Sequence, residues 1–365
     1  MPLPPFFYLT LFSLAHYINR NSFMPHRTFF WFIIPSLLAM VLFIALPVMS
    51  VIVQSLHVEH EKVLISSENC GPFGCKQITI IDVAATAKLR SDKPLGQFSG
   101  FDNYTNRSHL AFDEVSLAWE TSENMTDFIK KLLNLPFYKA LVFTLTYTFV
   151  VTPFVIILGL AIALGVNSLP KFAKGPTIFV SLLPMIVTPL IGSLILFWMV
   201  DGDGIIGGSI QTLFNDPNLS LKASPALTWM MLIVYGIWHS APFSFIVFYA
   251  GLQTVPEDTL EAATIDGANR WQRIRYVIVP YMKPLVVFIT LMQLMDNFRV
   301  FEPIVSFASE ASATSLSWII YKDLTSDTQL FGSAAATSML TIMGVAILLL
   351  PVLIKTWRDF NRTAR

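Results

Sequence analysis

Five polar residues fall within ten positions of an otherwise apolar stretch: Gln293, Asp296, Asn297, Arg299 and Glu302. A charge at the centre of a membrane helix costs about 2.5–3.5 kcal/mol even on a forgiving insertion scale, so such groups must face protein or water. At helical spacing Gln293, Asp296, Asn297 and Val300 share one face, while Arg299 and Glu302, three apart on another, are expected to pair with each other. A face that gathers several donors and acceptors reads as a path for a polar solute; hydrogen bonding between packed helices is the alternative. Tyr235, Trp238 and His239 add aromatic surface suited to stacking on the C–H face of a sugar ring, with polar neighbours for hydroxyls. Tyr235 and His239 are four apart and can line one surface, although a packed core face would place them the same way. Trp229 reads as part of an interfacial belt.

A second polar stretch, Glu261 to Pro284, carries Asp266, Arg270, Arg273 and Arg275 around Gly267. Upstream, Thr254 and Glu257 are spaced as a capping box, and Pro256 falls where a missing N–H costs little. A short helix should start there, with Glu257, Asp258 and Glu261 toward its positive end and Leu260, Ala263 and Thr264 forming a modest face. Gly267 supplies the positive φ that ends it. Asn269 then caps a second helix with Trp271, Ile274 and Ile278 on one face and Arg270, Arg273 and Val277 turned elsewhere, ending at Pro280. No basic residue lies between Thr254 and Asn269. Anionic lipid would not attract such a hairpin, so a protein partner is the better reading.

The elements that position these groups follow from composition. Of 365 residues, 54% are hydrophobic and 13% charged, with 30 Phe and 8 Trp, a balance that a water-facing surface cannot cover. Lys plus Arg equals Asp plus Glu at 24 each, which gives no electrostatic case for a nucleic-acid partner. The fold class expected is an all-α polytopic membrane protein with six spans: Phe29 to Leu56, Tyr138 to Val166, Thr177 to Val200, Ala226 to Leu252, Leu285 to Phe307 and Phe331 to Ile354. Pro153, Pro184 and Pro189 fall inside spans and are expected to kink rather than end them. Twelve Lys and Arg occupy one set of short segments: Arg20, Arg27, Lys171, Lys174, Arg270, Arg273, Arg275, Lys283, Lys355, Arg358, Arg362 and Arg365. The alternate short loops hold two, Lys222 and Lys322, which puts both termini and the Glu261 stretch in the cytoplasm of a bacterial inner membrane protein.

The expected organisation is therefore a cytoplasmic segment 1–28, a first span 29–56, an extracytoplasmic loop domain 57–137, a core 138–354 that includes the cytoplasmic loop 253–284, and a cytoplasmic tail 355–365. The apolar patch Pro5 to Leu14 is too short to span and lacks the basic start and small-residue site of a signal peptide. In the loop domain, β-rich runs flank CGPFGC, predicting a hairpin whose tip is closed by a Cys70–Cys75 disulfide; two free thiols are the alternative. The spacing is not the CxxC of redox or zinc motifs. His57 and His60 could meet on a helical face and hold a metal, although a solvated polar face is the commoner outcome and no metal site is expected. Asp201 to Pro225 reads as a turn-rich outer loop with one short helix near Ile210 to Phe214. Its DGDG fails the calcium-loop pattern, because Thr212 stands where a glutamate is needed.

The run Glu261-Ala262-Ala263, Gly267 four residues on and the Ile278-Val279-Pro280 ending resemble the EAA motif of binding-protein-dependent ABC importer permeases. The context AGLQTVPEDTLEAATIDGANRWQRIRYVIVPYMKP is similar to the carbohydrate-uptake branch that includes maltose and glycerol-phosphate permeases. The resemblance is specific over about Trp238 to Pro284 and looser from GFDNY at Gly100 to the C-terminus. It implies a permease subunit working with a second permease, two ABC ATPases and an extracytoplasmic solute-binding protein that delivers a sugar or polar sugar derivative. By the motif, the helix carrying Glu261, Ala262 and Ala263 enters a groove on one ATPase, with Asp266, Gly267 and Arg270 at the turn. The loop 57–137 would help to dock the binding protein. No cofactor would be bound directly: ATP and magnesium would reside on the partner subunits, consistent with the absence of a Walker pattern, since GPFGCK lacks the spacing and the final Ser or Thr. The chain departs from the family where a Phe-Asp pair and a Gly-Gly-Pro run are usual: here stand Phe301-Glu302 and SFASEASATS. A non-sugar polar solute carried by the same architecture therefore stays open. A stand-alone secondary transporter would show inverted repeats, which are not visible.

Overall fold

The computed structural model describes residues 26–58, 63–71, 74–92, 96–216, 220, 224–326 and 329–363. The Pro5–Leu14 patch, Arg20, His60, Lys222 and Arg365 lie outside them. Residues up to Val53 form a unit by themselves. Helix α1 (His26–Met40) passes through a π turn (Val41–Ala45) into α2 (Leu46–Ser55), with Pro35 inside. Trp31, Phe32 and Phe43 are exposed, as lipid-facing side chains of a span would be.

The second unit begins with the loop domain. Strand β1 (His57–Val58) pairs antiparallel with β4 (Gln97–Phe98). His57 lies in a strand and not a helix, and His60, the other member of the pair that could have met on a helical face, is outside the described residues. Strands β2 (Leu64–Gly71) and β3 (Gly74–Ile81) make the expected hairpin, with Cys70 directly opposite Cys75 in the register. The two cysteine side chains and the tip residues 72–73 lie outside the described set. Among the described residues no cluster of three metal-ligating side chains occurs. Helices α3 (Val83–Asp92), α4 (Asp102–Thr105), α5 (Phe112–Glu120) and α6 (Met125–Leu133) complete the domain. Buried Asn103 donates from Nδ2 to the carbonyls of Ser55 and His57, both at 2.9 Å, and the Tyr104 hydroxyl donates to Ser55 Oγ at 2.7 Å.

The membrane core follows: α7 (Pro136–Asn167), α8 (Lys171–Ile186), α9 (Pro189–Val200), α10 (Ile205–Phe214) and α11 (Pro225–Leu252). Then come α12 (Glu257–Ile265), α13 (Arg270–Arg273), a π turn (Ile274–Ile278), α14 (Val279–Tyr281) and α15 (Lys283–Phe298). Last are α16 (Glu302–Ser306), α17 (Leu316–Thr325) and α18 (Phe331–Thr363). Five helical stretches among the described residues are long and apolar enough to cross a membrane, and the pair Arg270–Tyr281 with Lys283–Phe298, bent by 67°, makes a sixth if counted as one span. The long helices α7 and α11 cross tightly: a Cβ on Gly159 would collide with the Ser244 side chain and stand 2.8 Å from the Phe245 nitrogen. Small residues permit such approach where apolar lipid gives helices no hydrophobic reason to associate. Buried clusters lie on either side of this crossing, one around Phe143, Val151, Leu232 and Ile304, the other around Val166, Phe248, Ile278 and Ile289.

Two spans differ from expectation. The third is not continuous over Thr177 to Val200: α8 stops at Ile186, Val187 and Thr188 are extended, and Pro189 opens a new helix. Proline disfavours helical geometry in the residue before it, so Pro189 ends one helix and starts the next instead of kinking it. Pro153 and Pro184, in contrast, stay inside helices. The fifth span likewise stops at Phe298; Arg299 and Phe301 leave helical geometry, and Pro303 falls in the first turn of α16.

Candidate functional site

The two breaks face one cavity of about 600 Å³. Tyr147 of α7, Met185 and Pro189 at the first break, and Tyr235, Gly236 and His239 of α11 form one wall. Gln293, Asp296 and Asn297 of α15, with Arg299, Val300 and Glu302 at the second break, form the other. Five of the six residues expected along a path, Tyr235, His239, Gln293, Asp296 and Asn297, thus line one space. Trp238 does not; it sits beside Tyr235, ring centroids 6.0 Å apart, with 47% of its surface exposed. At about 100° per residue Trp238 stands about 60° from Tyr235 on the side away from His239, at the edge of their shared face.

Hydrogen bonding shows what each group is free to do. Gln293 and Asn297 are buried, and Asn297 Nδ2 donates to Thr152 Oγ1 at 3.2 Å and to Gln293 Oε1 at 3.3 Å. The pair therefore ties α15 to α7 as well as edging the cavity. Tyr235 donates its hydroxyl to the Pro189 carbonyl at 2.9 Å, and His239 Nε2 donates to the Val187 carbonyl at 3.2 Å. The His239 bond pairs a carbonyl that the first break takes out of the helix, as non-helical backbone at membrane depth requires, while the Pro189 carbonyl, at the start of α9, accepts from Ser193 Oγ at 2.6 Å as well as from Tyr235. A Cβ on Gly192 would stand 2.6 Å from Tyr235 Oη, so glycine is what admits the phenol to α9. Beyond the break, the hydroxyls of Ser193 and Ser306 join α9 to α16.

Arg299 does not pair with Glu302. Its guanidinium donates to Asp296 Oδ1 at 3.2 Å, and both side chains are more than half exposed. The expected pairing assumed an unbroken helix; once the helix ends at Phe298, residues 299 and 302 no longer stand one turn apart. Tyr147, Gly236 and Met292 also line the cavity; the signal that could have found two of them is helical spacing, with Gly236 three residues before His239 and Met292 four before Asp296.

The second polar stretch folds largely as its caps dictate. Helix α12 follows Pro256 at the N-cap, and Thr254 makes no capping box: its hydroxyl donates to the Gly251 carbonyl at 2.8 Å, closing the end of α11 instead. Gly267 adopts φ +78°, and Asn269 with Gln272 forms a reciprocal capping box, at 2.9 and 2.8 Å. Ile274 and Ile278 pack into the second cluster, but Trp271 is 68% exposed. The helix runs past Pro280 to Tyr281 before the bend at Met282. Glu261, Ala262, Asp266, Gly267 and Arg270 are exposed, Ala263 is half-buried, and Ile265 is 86% exposed. A shallow groove lined by Glu257, Leu260, Glu261, Thr264, Ile265 and Arg273 runs along α12, whose Thr264 accepts a hydrogen bond from Arg273 at 3.1 Å. The Tyr281 hydroxyl donates to the Thr254 carbonyl at 2.8 Å, fastening the hairpin to the end of α11.

In the loop domain, fully buried His109 bridges Asn106 Oδ1 (2.9 Å) to Thr337 Oγ1 (2.8 Å) and the Ser333 carbonyl (3.2 Å) of α18. Burial holds this imidazole below its usual 6.5.

The family described as binding-protein-dependent transport system inner membrane component matches residues 132–360. A probable ABC transporter permease protein of Pyrococcus horikoshii is 30% identical over 210 residues, covering 56% of this chain and 67% of that protein. The trehalose transport system permease protein SugA of Mycobacterium tuberculosis is 30% identical over 219 residues, covering 60% and 69%. The fold is also that of a solved bacterial ABC transporter involved in the import of the acidic polysaccharide alginate, with a TM-score of 0.62 and 19% identity over 95% of this chain and 99% of that one.

Proposed function

The chain belongs to the family of binding-protein-dependent transport system inner membrane components, and from that membership we propose that it is a permease subunit importing a sugar or polar sugar derivative. The permease similar to it in Mycobacterium tuberculosis serves trehalose, which supports a saccharide cargo here. A solute-binding protein outside the membrane delivers the solute, a second permease completes the path, and two ABC ATPases supply the energy, with ATP and magnesium bound on those subunits. Both termini and α12 face the cytoplasm, following the Lys and Arg asymmetry. The hairpin β2–β3, closed by a Cys70–Cys75 bond, lies on the oxidising outer side with the rest of the loop 57–137, which helps to dock the binding protein.

The observation that carries this reading is a mechanical connection. The exposed helix α12, the π turn and α14 lead through a 67° bend at buried Met282 into α15, and α15 carries Gln293, Asp296 and Asn297 into the cavity. Leu285, just past the bend, is wedged against Gly251 of α11. Packed elements transmit displacement instead of absorbing it. A push on α12 from a closing ATPase pair would therefore tilt α15 against α7 and α11 and change access to the cavity. Glu261, Ala262, Ala263 and Asp266 meet the ATPase, Gly267 makes the turn, and Arg270 flanks it.

The test is Glu261→Lys. The variant should insert normally, because the position is exposed and outside the packed core. It should lose most ATPase association and at least about tenfold of solute-stimulated hydrolysis, as expected when a charge-assisted contact of about 1.5–3 kcal/mol becomes a repulsion. Full transport in that variant would refute the coupling role.

A further inference from the structure

Among the residues lining the cavity, the charged side chains are Asp296, Arg299 and Glu302. The single guanidinium is committed to Asp296, at 3.2 Å on the same stretch of chain. Glu302 opens α16 on the opposite side of the break, and Ser306 uses its backbone carbonyl and not its carboxylate. Tyr147, Tyr235, His239 and Gln293 share the cavity with it. Two of these have their donors spent on backbone, Tyr235 on the Pro189 carbonyl and His239 on the Val187 carbonyl. Asp296 and Arg299 cancel, which leaves one net negative charge on the lining. An ionisable group held at membrane depth asks for a partner, and nothing cationic on this wall remains to supply one.

We infer that Glu302 makes the cavity selective by charge: it favours a saccharide bearing a protonated amino group, admits neutral sugars, and rejects uronic acids and other anionic solutes. The inference rests on the cavity being the solute path. Glu302 is exposed on the cavity wall, where its carboxylate repels a second anion that enters, whereas an ammonium gains a charge-assisted hydrogen bond. The ion pair between Asp296 and Arg299 keeps the arginine from offsetting that field. Tyr235 and His239, whose donors are already engaged, have little to offer an anionic oxygen.

The experiment measures solute binding to the complete transporter in nanodiscs by saturation-transfer NMR, without the binding protein, so that the selectivity read is that of the path. The probes are a glucose disaccharide, a glucosamine disaccharide, a glucuronate disaccharide and a linear polyamine. The wild type should bind the aminated disaccharide about tenfold more tightly than the neutral one, and the uronate at least tenfold more weakly. Raising the salt should compress the spread. In Glu302→Gln the three disaccharides should fall within about twofold of one another, while Glu302→Asp, which keeps the charge, should retain the order. Equal binding of uronate and aminated sugar by the wild type, or an order that survives in Glu302→Gln, overturns the inference while leaving a saccharide path standing. Binding of the polyamine with no binding of any saccharide would instead overturn the sugar reading and support the charge role of Glu302.

Discussion

Gly192→Ala tests whether Tyr235 holds the first helix break. The new methyl carbon would lie 2.6 Å from Tyr235 Oη and 3.3 Å from Cε2 and Cζ. To reach ordinary contact the phenol must retreat by roughly 0.8 Å. It cannot do so and keep its 2.9 Å bond to the Pro189 carbonyl, because the ring is flanked by Trp238 and His239 at centroid distances of 6.0 and 5.7 Å. The substitution thus adds overpacking of about 1–3 kcal/mol to the loss of one hydrogen bond, about 0.5–1.5 kcal/mol more, since the Pro189 carbonyl keeps its bond from Ser193 Oγ. Tyr235→Phe loses the bond alone. In the double variant the oxygen that clashes is gone and the bond is lost only once, so the combined cost should fall short of the sum by about 1–3 kcal/mol. Equilibrium unfolding of the purified protein in mixed micelles, run on the wild type, both single variants and the double, measures that coupling. Costs that add to within about 0.5 kcal/mol would refute the idea that the phenol and the break depend on each other.

Three further outcomes follow from contacts elsewhere in the fold. His109 is neutral when buried, and its pKa is depressed from 6.5; between that value and 6.5 the unfolded chain binds more protons, so stability rises with pH there and levels off above. Asp323, whose carboxylate accepts from Ser333 at 2.6 Å, is the acidic neighbour that partly opposes the shift. The protection factors of amides 102–110, taken relative to the intrinsic exchange rate at each pH, should therefore fall as pH falls from about 7 to about 5, and His109→Gln should flatten the dependence. Asn297→Leu removes the donor shared by Thr152 and Gln293 and should cost about 1–3 kcal/mol. Asp296→Ala touches no buried network and should change the solute dependence of transport with little loss of stability. Unchanged transport kinetics in both variants would return this face to a packing role.

Six apolar runs, the excess of Lys and Arg in alternate loops, the hairpin around CGPFGC, the positive-φ glycine at 267 and the Asn269 cap were all legible in the residues. Each depends on local chemistry: how many apolar residues span a bilayer, which residue tolerates φ > 0, which side chain reaches its own helix N–H. The position of α12 and the gathering of Gln293, Asp296 and Asn297 on one face needed only helical spacing. Thr254 shows where local reading fails. Its hydroxyl had two partners within reach, and the end of α11 took it.

What tertiary structure alone decided is where the helices break. Pro153, Pro242 and Pro351 remain inside helices, whereas Pro189 and Pro303 begin new ones, and nothing in the flanking sequence separates the two groups. A break at membrane depth survives only if its freed carbonyls find donors. At Val187 that donor is His239, some fifty residues away on another helix, and Tyr235 of the same helix bonds the Pro189 carbonyl at the start of α9. The second break gives Arg299 to Asp296 and sets Glu302 facing the cavity. The sequence by itself determined that this chain spans the membrane and carries a polar, glycine-turned helical hairpin between two of its apolar runs. Only the packing of α11 against α8 and α9 decided which polar residues serve the backbone and which are left to meet a solute.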